Sequence, residues 1–187
     1  MAPKASPIPE RAASPDTGLS RDELRDGLCA IGELGGPKRR SAVLELLKSR
    51  LAFGKAATRE RFEMGRLDGL ETARVLASVH DDIVIALWDF ATKYVVTTQN
   101  PTPSERIALC AVGGYGRAEM APESDVDLLF LTADKKGSPR AEALTEYMLY
   151  MLWDLGLKVG HASRTVEQCL KLAREDQTIL TSLLDLR

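Results

Sequence analysis

Two aspartates, Asp125 and Asp127, stand two positions apart at the start of an apolar run, residues 126–132. Side chains alternate between the two faces of a strand, so both carboxylates point to the same side. Adjacent negative charges repel, and beside apolar residues they are also partly desolvated, which is costly unless a cation lies between them. The pair therefore predicts a divalent-cation site, and Mg²⁺ commonly takes one or two carboxylates together with substrate phosphates.

A glycine-rich turn precedes this pair. Gly113, Gly114 and Gly116 follow the apolar run 106–112, and Gly114 lies 11 positions before Asp125. Without Cβ atoms, such a turn can bring backbone N–H groups close to a phosphate. A phosphate cradle facing a metal-binding pair is the arrangement that nucleotidyl transfer requires, because positioning and charge stabilisation do most of the work.

Three neighbouring side chains have two interpretations each. Arg117 either adds a charge-assisted phosphate contact or packs locally, and the same alternatives apply to Tyr115. Ser124, directly before the acidic pair, either contacts the nucleotide or satisfies a turn. Taken separately, a Gly-Gly after a strand is most often a simple turn, and Asp-x-Asp is most often a solvated strand end. Their matched spacing favours the functional interpretation.

The elements that position these residues fall into two regions. We expect residues 1–18 to form a disordered tail, 19–98 a helical N-terminal region, and 99–187 a nucleotidyltransferase core. The last five residues lie inside an apolar pattern without a terminator, which is typical of a chain truncated at the C-terminus. The pattern predicts three N-terminal helices: Ser20 (in a capping box with Glu23) to about Gly35, Arg39 into the sixties, and Leu70 to Val95.

The second region mixes strands and helices. Apolar runs predict strands at 106–112 and 126–132 and a shorter one at 157–161. Helices are expected from Pro139 to about Leu155 and, after a capping box at Thr165, through Arg174. The aromatic and methionine side chains at helical spacing are expected in the core, namely Trp88, Trp153, Met148 and Met151.

Composition excludes several classes of protein. The 187 residues carry a formal net charge of -2, which argues against a protein that coats nucleic acid or anionic lipid. No apolar run approaches the roughly 20 residues that a transmembrane helix requires, and the N-terminus lacks a signal-peptide core. The three cysteines are far apart, so we expect free thiols and not a disulfide framework or zinc site. A cytoplasmic protein is the expectation.

The residues Gly113-Gly114 followed by Asp125-Val-Asp127 resemble the signature of the DNA polymerase β-type nucleotidyltransferase superfamily. The longer segment 113–131 is closer to the N-terminal transferase domain of the bifunctional uridylyltransferase/uridylyl-removing enzymes, which modify the PII nitrogen-regulatory protein. Residues 147–165 are also similar to that family. The resemblance covers roughly residues 20 to 187.

The resemblance implies an α+β fold, with a small mixed sheet of the polymerase β-type core, flanking helices and a helical N-terminal extension. It implies that Gly113 and Gly114 hold the UTP phosphates and that Asp125 and Asp127 are catalytic and ligate Mg²⁺. The acceptor would be a tyrosine hydroxyl on PII, with release of pyrophosphate. From the net charge and the lack of a long apolar run, we expect neither nucleic acid nor membrane as a partner.

Two departures from the family pattern limit this expectation. Superfamily members usually supply a third carboxylate from a later strand, yet residues 157–163 contain no Asp or Glu, and Glu167 is better explained as part of a helix start. The hydrolase and glutamine-sensing domains of the whole enzymes are also absent from this sequence. His80-Asp81-Asp82 resembles a hydrolase metal motif, but the polar face of a helix is the simpler explanation.

The alternatives differ in class. An adenylyltransferase of the same superfamily shares the Gly-Gly and Asp-x-Asp motifs. A non-catalytic fragment that binds a nucleotide or a signalling protein is compatible with the missing carboxylate. A dinucleotide-binding module is excluded, because Glu119 replaces the last glycine of the G-x-G-x-x-G pattern and Pro122 interrupts the required helix.

Overall fold

The computed structural model describes residues 20–34, 36–98, 102–134 and 138–187. The predicted N-terminal tail, residues 1–18, lies outside this part of the chain. Within it, none of the helices combines the length and apolarity that crossing a lipid bilayer requires.

The N-terminal half is helical, as predicted. Helix α1 (Arg21–Gly32) starts where the Ser20 hydroxyl accepts a hydrogen bond from the Glu23 amide at 3.2 Å. Helix α3 (Gly69–Phe90) starts with a reciprocal capping box between Asp68 and Glu71 and continues into one π-helical turn, Ala91–Val95. The three helices are α1 (Arg21–Gly32), α2 (Pro37–Glu63) and α3 (Gly69–Phe90).

A three-stranded mixed sheet follows. The strands are β1 (Ile107–Ala111), β2 (Val126–Thr132) and β3 (Val159–Arg164), in the spatial order β1-β2-β3. Strand β2 pairs antiparallel with β1 and parallel with β3, and helix α5 (Pro139–Asp154) makes the crossover that parallel pairing requires. The remaining helices are α4 (Gly113–Gly116), α6 (Val166–Glu175) and α7 (Gln177–Leu184). The predicted α+β class is confirmed.

The two faces of the sheet have different neighbours. Val126, Leu128 and Phe130 of β2 point into the main core, which includes buried side chains of α1, α2, α3 and α5. The opposite face joins a smaller cluster centred on Leu129, to which Cys110 and Cys169 belong. The helical region and the sheet thus share one continuous core.

The structure corrects several predictions. Strand β3 continues to Arg164, beyond the predicted end at His161, and α7 was not predicted. Met148 and Met151 are fully buried as expected, but Trp153 is 45% exposed. Its ring packs edge-on against His161 at the surface of the crossover helix. The three cysteines are free, as predicted, and burial raises the pKa values of Cys110 and Cys169.

The polar triplet of α3, which the sequence analysis assigned to the polar face of a helix, is buried in the structure. His80 Nδ1 lies 2.7 Å from the carbonyl oxygen of Leu76, and burial lowers the pKa of this imidazole. Asp81 forms an ion pair with Arg187, and Asp82 forms one with Arg21. These pairings explain the triplet structurally, because α3 is the central helix and a buried charge must be paired.

Replacement of Phe130 tests how much the main core contributes to stability. Its side chain is fully buried at the centre of β2, and replacement by alanine leaves a large cavity. We expect Phe130→Ala to lower the free energy of unfolding by about 3–5 kcal/mol in urea titration. Phe53→Ala is the matched control, because Phe53 is 55% exposed and should change stability by less than about 0.5 kcal/mol. Equal losses in both variants would contradict this account of the core.

Candidate active site

A cleft of about 320 Å³ lies on the sheet face that carries Asp127. The glycine turn borders one side, β3 borders another, and α7 covers the third. Residues that line the cleft include Gly113, Asp127, Gly160, Arg164, Thr178 and Ser182. Two of the predicted site residues, Gly113 and Asp127, therefore meet here.

The Asp127 carboxylate occupies the space above two glycines from different elements. A Cβ atom added to Gly113 would lie 3.3 Å from Oδ2, and one added to Gly160 would overlap Oδ1 outright. Gly160 is the register partner of Asp127 across the β2–β3 pair. The absence of both side chains is thus a geometric condition for this position of the carboxylate.

Asp127 is electrostatically unfavourable as an isolated anion. Partial burial raises the pKa of its carboxyl, and the neighbouring charge of Asp125 raises this pKa further. Asp125 is exposed and immediately precedes β2. Both effects disfavour the charged form, and a bound cation would relieve both. The donor set therefore fits a hard divalent ion that completes its shell with phosphate oxygens and water.

The glycine turn forms a single helical turn, α4, with a constrained start. Gly113 adopts φ +62°, which a residue with a side chain rarely adopts. Among the described residues, no hydrogen bond uses the amide N–H of Gly113 or Gly114. The loop that follows holds Ala118 (φ +59°) and Glu123 (φ +64°) in the same uncommon region. Such conformations cost about 1–3 kcal/mol each and concentrate at functional sites.

The other predicted site residues lie outside the cleft lining. Gly114 is part of α4, where an added Cβ would lie 3.3 Å from the Glu119 carbonyl oxygen. The Arg117 guanidinium forms an ion pair with Asp185, just after α7. Ser124 is exposed, and its amide donates to the Ala121 carbonyl at 3.1 Å, which closes a turn.

Sequence reasoning missed Gly160 and Arg164. An isolated glycine within a strand often marks the close approach of another group, so Gly160 carried a usable signal. Arg164 gave no such signal in the sequence, because the predicted strand ended at His161. His161 itself is exposed, lines the cleft and contacts the Trp153 ring.

A third carboxylate is not contributed by β3. The residues that share the Asp127 face of this strand are Gly160, Ala162 and Arg164. Glu167 lies in the first turn of α6, where Thr165 and Gln168 form the capping box. Within the described residues, no cluster of three or more His, Cys, Asp or Glu side chains forms a metal site.

The mixed sheet, the glycine turn and the acidic pair at the start of β2 together define a nucleotidyltransferase-type domain. Comparison with protein families agrees, since residues 58–181 match the model of the nucleotidyltransferase family DUF294. The chain belongs to this family.

Curated relatives carry a more specific name. The chain is 56% identical over 148 residues to the bifunctional uridylyltransferase/uridylyl-removing enzyme of Phenylobacterium zucineum, covering 79% of this chain and 16% of that protein. It is 51% identical over 159 residues to the protein of that name from Caulobacter vibrioides, covering 84% and 17%. The Rhodospirillum rubrum protein of that name is 46% identical over 150 residues, covering 80% and 16%. The chain thus spans about one sixth of the length of these relatives.

Gly160→Ala tests the geometry around Asp127. The added methyl group must displace the carboxylate, so if Asp127 binds a divalent cation, affinity for the relaxation probe Mn²⁺ is expected to fall at least about 10-fold. Gly69→Ala is the matched control, because a Cβ there has no neighbour within 4 Å. Water-proton relaxation with increasing Mn²⁺ gives both affinities. Unchanged Mn²⁺ affinity in Gly160→Ala would contradict the geometric condition.

The variant Asp127→Asn tests the free-energy cost of keeping the Asp127 carboxylate charged in the folded chain. The pKa of Asp127 is higher in the folded chain than in the unfolded chain. Above the ordinary aspartate pKa, the folded chain therefore binds more protons than the unfolded chain, and the free energy of unfolding falls as pH rises. In metal-free buffer, Asp127→Asn should therefore raise the thermal midpoint at pH 7. The gain should disappear below about pH 4, where the carboxyl is protonated in both states. Thermal melts across this pH range measure it, and a lower midpoint at pH 7 would refute the sign.

Proposed function

We propose that this chain carries a site for Mg²⁺-dependent transfer of UMP from UTP to a tyrosine hydroxyl of the PII nitrogen-regulatory protein, with release of pyrophosphate. The observation that carries the proposal is the Asp127 carboxylate, wedged above Gly113 and Gly160 and facing a glycine turn with unused amides. The uridylyltransferase name of the curated relatives supports the choice of nucleotide and, through it, of acceptor.

Each part of the site has a role in this reaction. The amides of Gly113 and Gly114 bind phosphate oxygens, and Asp125 and Asp127 hold the metal ion. A bound Mg²⁺ would neutralise charge on the triphosphate and lower the pKa of the attacking hydroxyl. The tyrosine oxygen forms a bond to the α-phosphorus, the bond from that phosphorus to the bridging oxygen breaks, pyrophosphate leaves, and the phenolic proton is lost to solvent.

Two further residues, Arg117 and Ser124, are candidates for contacts with the nucleotide. Arg117 donates through Nη1 to Asp185 at the edge of the glycine turn, and its guanidinium carries further N–H donors that can reach a phosphate. Ser124 is exposed in the turn before Asp125, where its amide donates to the Ala121 carbonyl. We propose both as nucleotide contacts that form only when the triphosphate is bound.

Calorimetry with UTP and ATP, each with and without Mg²⁺, tests the proposal on this chain. We expect Mg²⁺-dependent binding with a preference for UTP, and loss of that binding in Asp127→Asn because triphosphate charge is no longer balanced. Asp26→Asn is the control, since Asp26 is an exposed aspartate of α1 far along the chain from the site. A preference for ATP would favour an adenylyltransferase.

Transfer itself is tested with PII and radiolabelled UTP. Either Asp125→Asn or Asp127→Asn should lower the rate at least about 10²-fold, since each removes charge stabilisation made at the reacting phosphate. Measurable transfer by Asp127→Asn at the native rate would refute the assignment. Native binding of UTP without any transfer would favour the non-catalytic alternative.

A further inference from the structure

We propose that Arg164 binds the β- and γ-phosphates of the nucleotide and therefore the pyrophosphate that leaves. The proposal rests on the proposed function, because it names the terminal-phosphate subsite of the same cleft. Sequence reasoning gave the role of phosphate-binding cation to Arg117, and the structure offers a different arginine for the terminal phosphates.

Arg164 shares a strand face with the Asp127 site. The register pairs Asp127 with Gly160 and Leu131 with Arg164, so Arg164 stands four residues beyond Gly160 on the same face of β3. At about 3.3 Å per residue, its Cα lies roughly 13 Å along the strand from that of Gly160. Its long side chain lines the cleft that Asp127 lines. This separation suits a chain of three phosphates better than the single phosphate that reacts.

The charge of Arg164 is available. Among the described residues, it forms no ion pair, whereas Arg117 and Arg187 beside the glycine turn are neutralised by Asp185 and Asp81. It is also the one lysine or arginine among the described residues that line the cleft.

The chemistry of the two ends of the cleft differs accordingly. Asp125 and Asp127 can only hold phosphate through a cation, so they serve the phosphate at which the bond breaks. A guanidinium holds phosphate oxygens directly, and its planar fork allows two parallel hydrogen bonds. When the bridging bond breaks, negative charge accumulates on the leaving pyrophosphate, and a fixed cation at that end stabilises it.

The test compares ligands that differ only in terminal phosphates. Calorimetry in Mg²⁺ measures binding of UTP, UMP and inorganic pyrophosphate to the native chain, to Arg164→Gln and to Arg164→Lys. We expect Arg164→Gln to weaken UTP and pyrophosphate about 10- to 100-fold and UMP by less than about 2-fold. Arg164→Lys, which keeps the charge but loses the fork, should recover part of the affinity.

Arg174→Gln is the matched control. It removes the same charge from the exposed last turn of α6, outside the cleft lining, and should leave binding of all three ligands unchanged. Circular dichroism and thermal melts establish whether each variant is folded. If Arg164→Gln does not fold, the comparison is made with Arg164→Lys instead.

The outcomes separate the two proposals. Equal weakening of UTP and UMP, native affinity for pyrophosphate in the Arg164 variants, or no pyrophosphate binding by the native chain overturns the assignment of Arg164. Arg164-dependent pyrophosphate binding without any binding of UTP supports the phosphate subsite while overturning the proposed function. Selective loss of UTP and pyrophosphate supports both.

Discussion

The site depends on one steric condition: the Asp127 carboxylate fits between two backbone segments only because each has a glycine at the point of contact. Gly113 supplies one segment from the turn after β1, and Gly160 supplies the other from β3. Neither position tolerates a Cβ atom without moving the carboxylate. The cost of holding a partly desolvated anion beside Asp125 is the physical reason to expect a cation there.

The main core fixes these segments relative to one another. Phe130 and Leu128 on β2 lie in the same core as the central helix α3, so the acidic strand cannot slide without exposing them. Helix α3 also meets the glycine turn through charge, since Asp81 pairs with Arg187, whose guanidinium donates to the carbonyl oxygens of Tyr115 and Gly116. Packing and buried polar contacts together hold the glycine turn in its position against α3.

Family membership and site geometry support the same reaction class at different levels of detail. The DUF294 match covers α3, the sheet and most of the C-terminal helices. The matched part of the chain covers 16–17% of the relatives named uridylyltransferase/uridylyl-removing enzyme. Two arginines near the site differ in their contacts: Arg117 forms an ion pair with Asp185, whereas Arg164 lines the cleft and forms no ion pair among the described residues.

The sequence by itself determined helices α1, α2, α3, α5 and α6, the first two strands, and the proximity of the glycine turn to the acidic pair. These follow from short-range periodicity and caps, such as the Thr165 box that begins α6. The tertiary structure alone decided that Gly160 lies beneath Asp127, that Arg164 shares its cleft, and that Asp81 is buried against Arg187. Those contacts join elements far apart in the chain, and their register and burial arise from packing that no local pattern encodes.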